Sequence, residues 1–305
     1  MKVMRLLRNL LLGLAALILA ALLCVGLVWL YFHPRLQVAS AVVYGHRQGQ
    51  DLTLDVLRPA RPNGIGIVLM VSGGWKSQAG SFKPWIAAPL LRRGYTIFAV
   101  YHVPQPTATV MEITEDVNRA VRFVRHHAVE YGVDPQRLGV TGGSAGGHLS
   151  LMVATRGGPG PTDAADPVDR ESSAVQAVAI FYPVTDLLNL GDSTENLHDG
   201  GPPKSFVKAF GPQSTNLAVW QVIGHEMSPI FYINSNLPPS LIYHGDADTL
   251  VPLDQSQRFQ AEARKRSCTV NLVVHHGGSH GWLSMVWDLR RFADWFDRYL
   301  RRQGG

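Results

Sequence analysis

Cysteine is almost absent from this chain of 305 residues; there are two, Cys24 and Cys268. Cys24 lies in an apolar N-terminal run and Cys268 stands alone in the main body. No intradomain disulfide is possible, so cysteine usage does not reveal a compartment. Charge is also sparse, with Asp, Glu, Lys and Arg making up 17% of the residues. Acidic residues are missing altogether from 1–35, which carries Lys2, Arg5, Arg8 and Arg35. That segment therefore holds four of the five units of formal net positive charge, leaving about one for the rest. The pI of 9.3 describes the N-terminus and gives no support to nucleic-acid binding. The chain also lacks an internal repeat, a long low-complexity tract and any metal-ligand spacing, and no metal or organic cofactor is implied. Nothing in it sets an oligomeric state.

What is present begins with residues 10–32, uncharged and mostly Leu, Ala, Val and Ile. As a helix this run spans roughly 34 Å, enough to cross a bilayer core. Trp29, Tyr31 and Phe32 sit at its end, where aromatic side chains favour the membrane interface. Lys2, Arg5 and Arg8 precede it, which leaves the N-terminus in the cytoplasm and exports the bulk of the chain to the periplasmic or extracellular side. The alternative is a cleaved signal peptide, for which Ala39-Ser40-Ala41 is a cleavage candidate, and then the protein is secreted. Residues 1–35 are thus an anchor or signal segment. The remainder, 36–305, is long enough for one large domain.

Along that domain, 38–44 and 52–57 read as strands joined through a Gly-containing turn. Continuous apolar runs at 65–71, 95–101 and 175–182 read as strands covered on both faces. Helices are expected at 82–93 and 112–130. After 182 come about 55 residues, 184–238, rich in Gly, Pro, Asn and Ser, which suit an insertion or small cap. Strand 240–244, helix 253–265, strand 270–275 and helix 283–301 close the chain. Alternation of this kind predicts an α/β fold with a mostly parallel sheet.

The centre of the pattern is Gly142-Gly143-Ser144-Ala145-Gly146-Gly147. It follows the strand-like Arg137-Leu-Gly-Val-Thr141 and precedes a helix starting near His148. A serine between glycines on a strand-to-helix turn has the layout of a nucleophile elbow. A serine hydroxyl needs a base, and the base an orienting acid. Strand 240–244 runs into His244-Gly-Asp-Ala-Asp248. Asp248 lies deeper in the loop and is the preferred acid, with Asp246 bracing the turn and Asp186 in reserve. Strand 270–275 is followed by His276-Gly-Gly-Ser-His280, and His280, in a Gly-rich loop before a helix, is the preferred base over His275 and His276. His148 and His225 are expected to pack or face solvent. An oxyanion hole takes one backbone donor from Ala145 and a second from Ser72-Gly73-Gly74-Trp75, with Gly74 and Trp75 favoured.

Together these residues resemble the α/β-hydrolase superfamily, and within it the esterase/lipase branch of hormone-sensitive-lipase-like and acetyl-xylan or feruloyl-esterase-like enzymes. The matching stretches are 134–148, 238–252 and Ser279-His-Gly-Trp282, and the similarity covers about 40–300. The branch usually has His-Gly-Gly-Gly-Trp at the oxyanion loop, where this chain reads Val71-Ser-Gly-Gly-Trp75. The resemblance implies hydrolysis of a small-molecule carboxylic ester through an acyl-enzyme. Two other readings remain: an exopeptidase similar to prolyl oligopeptidase, although no propeller precedes the domain, and a catalytically silent, membrane-anchored binding protein.

Overall fold

The computed structural model describes residues 1–301, so the last four residues of the expected domain, 302–305, lie outside the described residues. The apolar run forms α1 (Lys2–Phe32), none of whose residues is fully buried. The chain then enters a hairpin of β1 (Leu36–Arg47) and β2 (Gln50–Pro59). These strands are longer than the expected 38–44 and 52–57. Gln48 and Gly49 both have positive φ, 51° and 75°, as the tight turn that matches strand twist requires. The added residues, which include His46, Arg47, Gln50 and Asp51 beside the turn, are held by backbone pairing, which needs no apolar alternation.

β3 (Gly66–Met70) leads to a 3-10 turn at Pro84–Ala87 and a short α2 (Ala88–Arg92). A single helix over 82–93 does not form. Pro84 holds Lys83 in extended backbone, and Pro89 sits in the first turn of α2, the one place where a missing N–H costs nothing. β4 (Thr96–Val100) precedes α3 (Val110–His126), whose start is fixed by Thr109 and Glu112 in a reciprocal cap. That cap places the start two residues before the expected 112. β5 (Leu138–Gly143), α4 (Ala145–Arg156), a single turn α5 (Pro167–Arg170) and β6 (Ala177–Phe181) follow. Between β6 and β7 (Ser240–Gly245) the only α-helix is α6 (Leu217–Glu226), set among 3-10 turns. α7 (Asp254–Lys265), β8 (Val270–His275) and α8 (Met285–Leu300) complete the domain.

The sheet order is β1-β2-β4-β3-β5-β6-β7-β8. β1, β2 and β4 pair antiparallel in turn, and every pair from β4 to β8 is parallel. This is the α/β-hydrolase arrangement, with helices on both faces. Alternate residues of each central strand face opposite layers. Val68, Phe98, Val140 and Ile180 pack with α3, α4 and α7. Ile67, Ile97, Ala179 and Leu241 pack with α2 and α8. Burial on both sides is why these strands read as unbroken apolar runs. It also brings the carboxyl ends of β3 to β8 to one edge, where their loops meet.

Candidate active site

Ser144 joins β5 to α4 with φ 55° and ψ −122°. A non-glycine residue in this region is strained, and the surroundings hold it there. A Cβ on Gly142 would lie 2.6 Å from the Gly146 carbonyl, and one on Gly146 would lie 2.4 Å from Met70 O. Both positions therefore require glycine, because α4 starts directly against the end of β3. The Ser144 N–H donates to Phe181 O at 3.1 Å, which ties the turn to β6.

His280 and Asp248 meet this serine. Ser144 Oγ donates to His280 Nε2 at 2.9 Å, and His280 Nδ1–H donates to Asp248 Oδ2 at 2.7 Å. The other oxygen, Oδ1, accepts from the backbone N–H groups of Leu250 and Val251 at 3.0 and 2.9 Å. Burial opposes ionisation of Asp248, but the His244 ring 3.5 Å away and hydrogen bonds from His280 and the Val251 N–H outweigh it and hold the carboxyl well below the usual carboxylate range. An ionised Asp248 fixes the tautomer of His280 so that Nε2 faces Ser144 as an acceptor. His244 itself is fully buried; its Nε2–H donates to Val251 O at 2.7 Å and its Nδ1 accepts from Ser256.

The other candidates lie elsewhere. Asp246 accepts from His276 at 2.8 Å and from the Gly277 N–H at 2.7 Å, so both residues brace an exposed turn. Asp186 pairs with Arg258 and caps the amides of Leu188 and Asn189. The rings of His275 and Trp282 pack 4.6 Å apart, and the His225 ring stacks on Phe231 at 4.3 Å.

Gly73, Gly74, Trp75 and Ala145 line the pocket beside Ser144. Ala145 is the first residue of α4, outside the helical ladder. The N–H groups of Gly74 and Trp75 have no acceptor among the described residues, whereas that of Gly73 donates to Lys76 O at 3.0 Å. Gly74 and Trp75 take positive φ, 53° and 55°.

Residues that the sequence reading passed over hold this loop. Ser72 Oγ donates to His102 Nε2 at 2.9 Å, while His102 Nδ1–H donates to Val103 O. Gln105 donates its backbone N–H to Trp75 O and its side-chain amide to Gly74 O. Trp75 Nε1 donates to His148 Nδ1, and His148 Nε2–H donates to Met227 O. Burial pushes both His102 and His148 down to about 4, so both rings are neutral at pH 7. His148, expected only to pack or face solvent, is fully buried and links α4 to the Trp75 turn. Tyr182 also lines the pocket, with its ring 4.5 Å from that of His280. Burial, and then the Asp248 charge, push its phenol up to about 12. Their one sequence signal was position, since His102, Gln105 and Tyr182 follow the carboxyl ends of β4 and β6.

The pocket has a volume of about 370 Å³. Val184, Leu187, Leu190, Phe206, Leu250 and Val251 supply its apolar wall. No Lys or Arg lines it among the described residues. No group of three or more His, Cys, Asp or Glu is placed to hold a metal ion among them either.

The BD-FAE family model matches residues 54–263 of the chain. This chain belongs to the BD-FAE family. The matched region runs from β2 to α7 and includes Ser144 and Asp248 of this BD-FAE protein, while His280 lies beyond it. The protein is similar to esterase LipQ of Mycobacterium tuberculosis, 34% identical over 242 residues, which cover 74% of this chain and 52% of LipQ. The probable carboxylic ester hydrolase LipM of the same organism is 30% identical over 204 residues, 66% of this chain and 45% of LipM. The chain thus spans about half the length of these curated relatives. Among solved structures, the esterase Est2 of Thermogutta terrifontis superposes with a TM-score of 0.68 at 27% identity, covering 88% of this chain and 95% of that one. The fold and family are those of an α/β-hydrolase in the esterase/lipase branch.

Proposed function

We propose that this protein is a serine hydrolase that cleaves carboxylic esters through an acyl-enzyme. The observation that carries the reading is the hydrogen-bonded line from Ser144 through His280 to Asp248. In the first step Ser144 Oγ attacks the ester carbonyl carbon as His280 Nε2 takes its proton. The bond to the leaving alcohol then breaks, and His280 returns the proton to that alcohol. Water, activated by the same nitrogen, next hydrolyses the acyl-enzyme and frees the acid. Asp248 stabilises the imidazolium and keeps it oriented. The N–H groups of Ala145, Gly74 and Trp75 are the proposed oxyanion donors. The apolar wall, the lack of cationic side chains and the Glu195 carboxylate on the lining disfavour an anionic acyl group, and segment 184–238 acts as the cap that shapes the pocket. The names of LipQ, LipM and Est2 support esters as the substrate class.

Residues 1–35 are proposed to anchor the protein in a membrane, with the catalytic domain on the exported side. An apolar helix of 31 residues, none of them fully buried and only its last turn touching the domain, supports this. Intact mass of the native protein distinguishes an anchor from a cleaved signal.

The test of the chemistry is Ser144→Ala in the full chain. Turnover of p-nitrophenyl acetate should vanish, and a fluorophosphonate probe should label the parent protein and not the variant. Retained turnover overturns the serine assignment. A parent protein that neither turns over esters nor takes the probe is a binding protein instead.

A further inference from the structure

We propose that the face formed by the 3-10 turn before α2 and the start of α8, bearing Trp85, Leu283 and Trp287, lies in the headgroup region of the bilayer that α1 crosses. The loop carrying His280 then opens beside lipid. This rests on α1 being a membrane helix.

α1 is docked on the domain at its aromatic end. The rings of Tyr31 and Phe32 lie 5.6 and 5.2 Å from that of Trp287, and Phe32 lies 6.3 Å from Trp85. Arg92 Nε donates to Tyr31 O at 2.6 Å, and a second guanidinium nitrogen donates to Leu30 O. The terminal carbonyls of a helix have no partner in the helix itself, so Arg92 satisfies groups that α1 must otherwise leave to water or lipid headgroups. Tyr31 and Phe32 are the residues that take the interface level of a membrane helix. Side chains packed on them sit at the same level.

What this face exposes fits that level. Trp85 and Trp287 each remain 43% exposed despite their contacts with α1, and Leu283 is fully exposed. An apolar patch of this kind marks an interaction surface. An open cleft of about 550 Å³ runs along α1 beside Trp85, lined by Cys24, Val25, Val28, Trp29 and Phe32, with His33 at its end. Its deepest α1 residue, Cys24, is roughly 12 Å along the helix from Phe32, within the hydrocarbon. The occupant that fits the cleft is a phospholipid acyl chain. Arg35 and Lys83, close in sequence to Phe32 and Trp85, are exposed and suited to the phosphate above it.

The face is continuous with the pocket. Leu283 is three residues beyond His280, a separation of at most roughly 11 Å. Between them, Trp282 packs on Tyr182 at 6.0 Å and donates to Asp288 on α8 at 2.6 Å. An ester dissolved in the bilayer would therefore meet the pocket from its lipid side.

The test uses the full chain with Cys24→Ser and Cys268→Ser, and single cysteines at Leu19, Leu283, Trp287 or Val129. Each is labelled with a polarity-sensitive fluorophore in phosphatidylcholine and phosphatidylglycerol vesicles, one set containing lipids spin-labelled near the headgroup and another lipids spin-labelled in the bilayer core. Val129 follows α3, in the helix layer opposite α2 and α8, and is 80% exposed. Labels at 283 and 287 should lose about half their emission, as expected for side chains buried about 5–10 Å into the interface. The label at 129 should be unaffected. If position 19 responds to spin-labelled lipid in the bilayer core while 283 and 287 respond to neither lipid, the docked face is refuted and the anchor stands. If position 19 is silent as well, the anchor reading fails and takes the proposal with it. Equal quenching at 129 and 283 also overturns it. Should Trp287→Cys not fold, Leu283→Cys decides alone, because that side chain is already fully exposed.

Discussion

Trp75 Nε1 donates to His148 Nδ1 at 3.2 Å, and His148 Nε2–H donates to Met227 O at 2.7 Å. One buried imidazole thereby couples the Gly74-Trp75 turn to α4, which begins one residue after Ser144. Trp75→Phe keeps an aromatic ring and removes the donor, leaving Nδ1 buried without a partner. The variant should lose about 1–3 kcal/mol of stability in urea unfolding. Its kcat should fall by up to about 10²-fold, with KM changing less, because misplaced donors act mainly in the transition state. Unchanged kcat would separate this bond from the chemistry.

The two aspartates of the β7 loop should behave differently. Asp248→Asn removes the charge that fixes the His280 tautomer, and kcat should fall about 10⁴-fold, the size seen when a triad acid is neutralised. Asp246→Asn, in the exposed pair with His276, should leave kcat near its starting level. Steady-state kinetics of both variants on one ester substrate check this, and equal losses would refute the assignment of the acid.

Gly146→Ala tests the elbow. Its Cβ would stand 2.4 Å from Met70 O, in backbone that cannot move without opening the sheet. The expected cost is about 1–3 kcal/mol, together with loss of fluorophosphonate labelling as Ser144 shifts. Wild-type stability in thermal unfolding would show that the turn relaxes more easily than its packing implies.

Stability should also fall in mild acid. His102 and His148 titrate near 4 when folded, against 6.5 for an ordinary histidine. Between those values the unfolded chain binds more protons, so stability decreases as pH drops from about 6.5 to about 4 and levels off below. Each ring contributes up to about 3 kcal/mol to that loss. His148→Gln should show a shallower slope than the parent over this window, read by urea unfolding at stepped pH. Parallel slopes would mean that the ring already exchanges protons freely in the folded state.

Much of this architecture was readable along the chain because its signals are local. The strands at 65–71, 95–101 and 175–182 are apolar throughout, as burial on both faces demands, and the observed β3, β4 and β6 lie inside those limits. The order of a serine between glycines, then an aspartate and a histidine, each beyond a strand, also needed no coordinates. Local pattern failed where backbone chemistry overrode composition. Pro84 and Pro89 broke the expected helix at 82–93, and the turn at Gln48-Gly49 extended the hairpin through polar residues.

The sequence by itself determined the α/β class, the parallel core, the sharp turn at Ser144 and the long apolar N-terminal helix, since each follows from periodicity, glycine placement or run length. Only the tertiary structure decided which polar groups meet. Ser72 finds His102 thirty positions later, Trp75 finds His148, and Tyr31 and Phe32 find Trp85 and Trp287. The first two pairs depend on which strand ends the sheet order makes neighbours. In a parallel sheet those neighbours are joined by crossover connections, so their separation along the chain carries no trace of the contact.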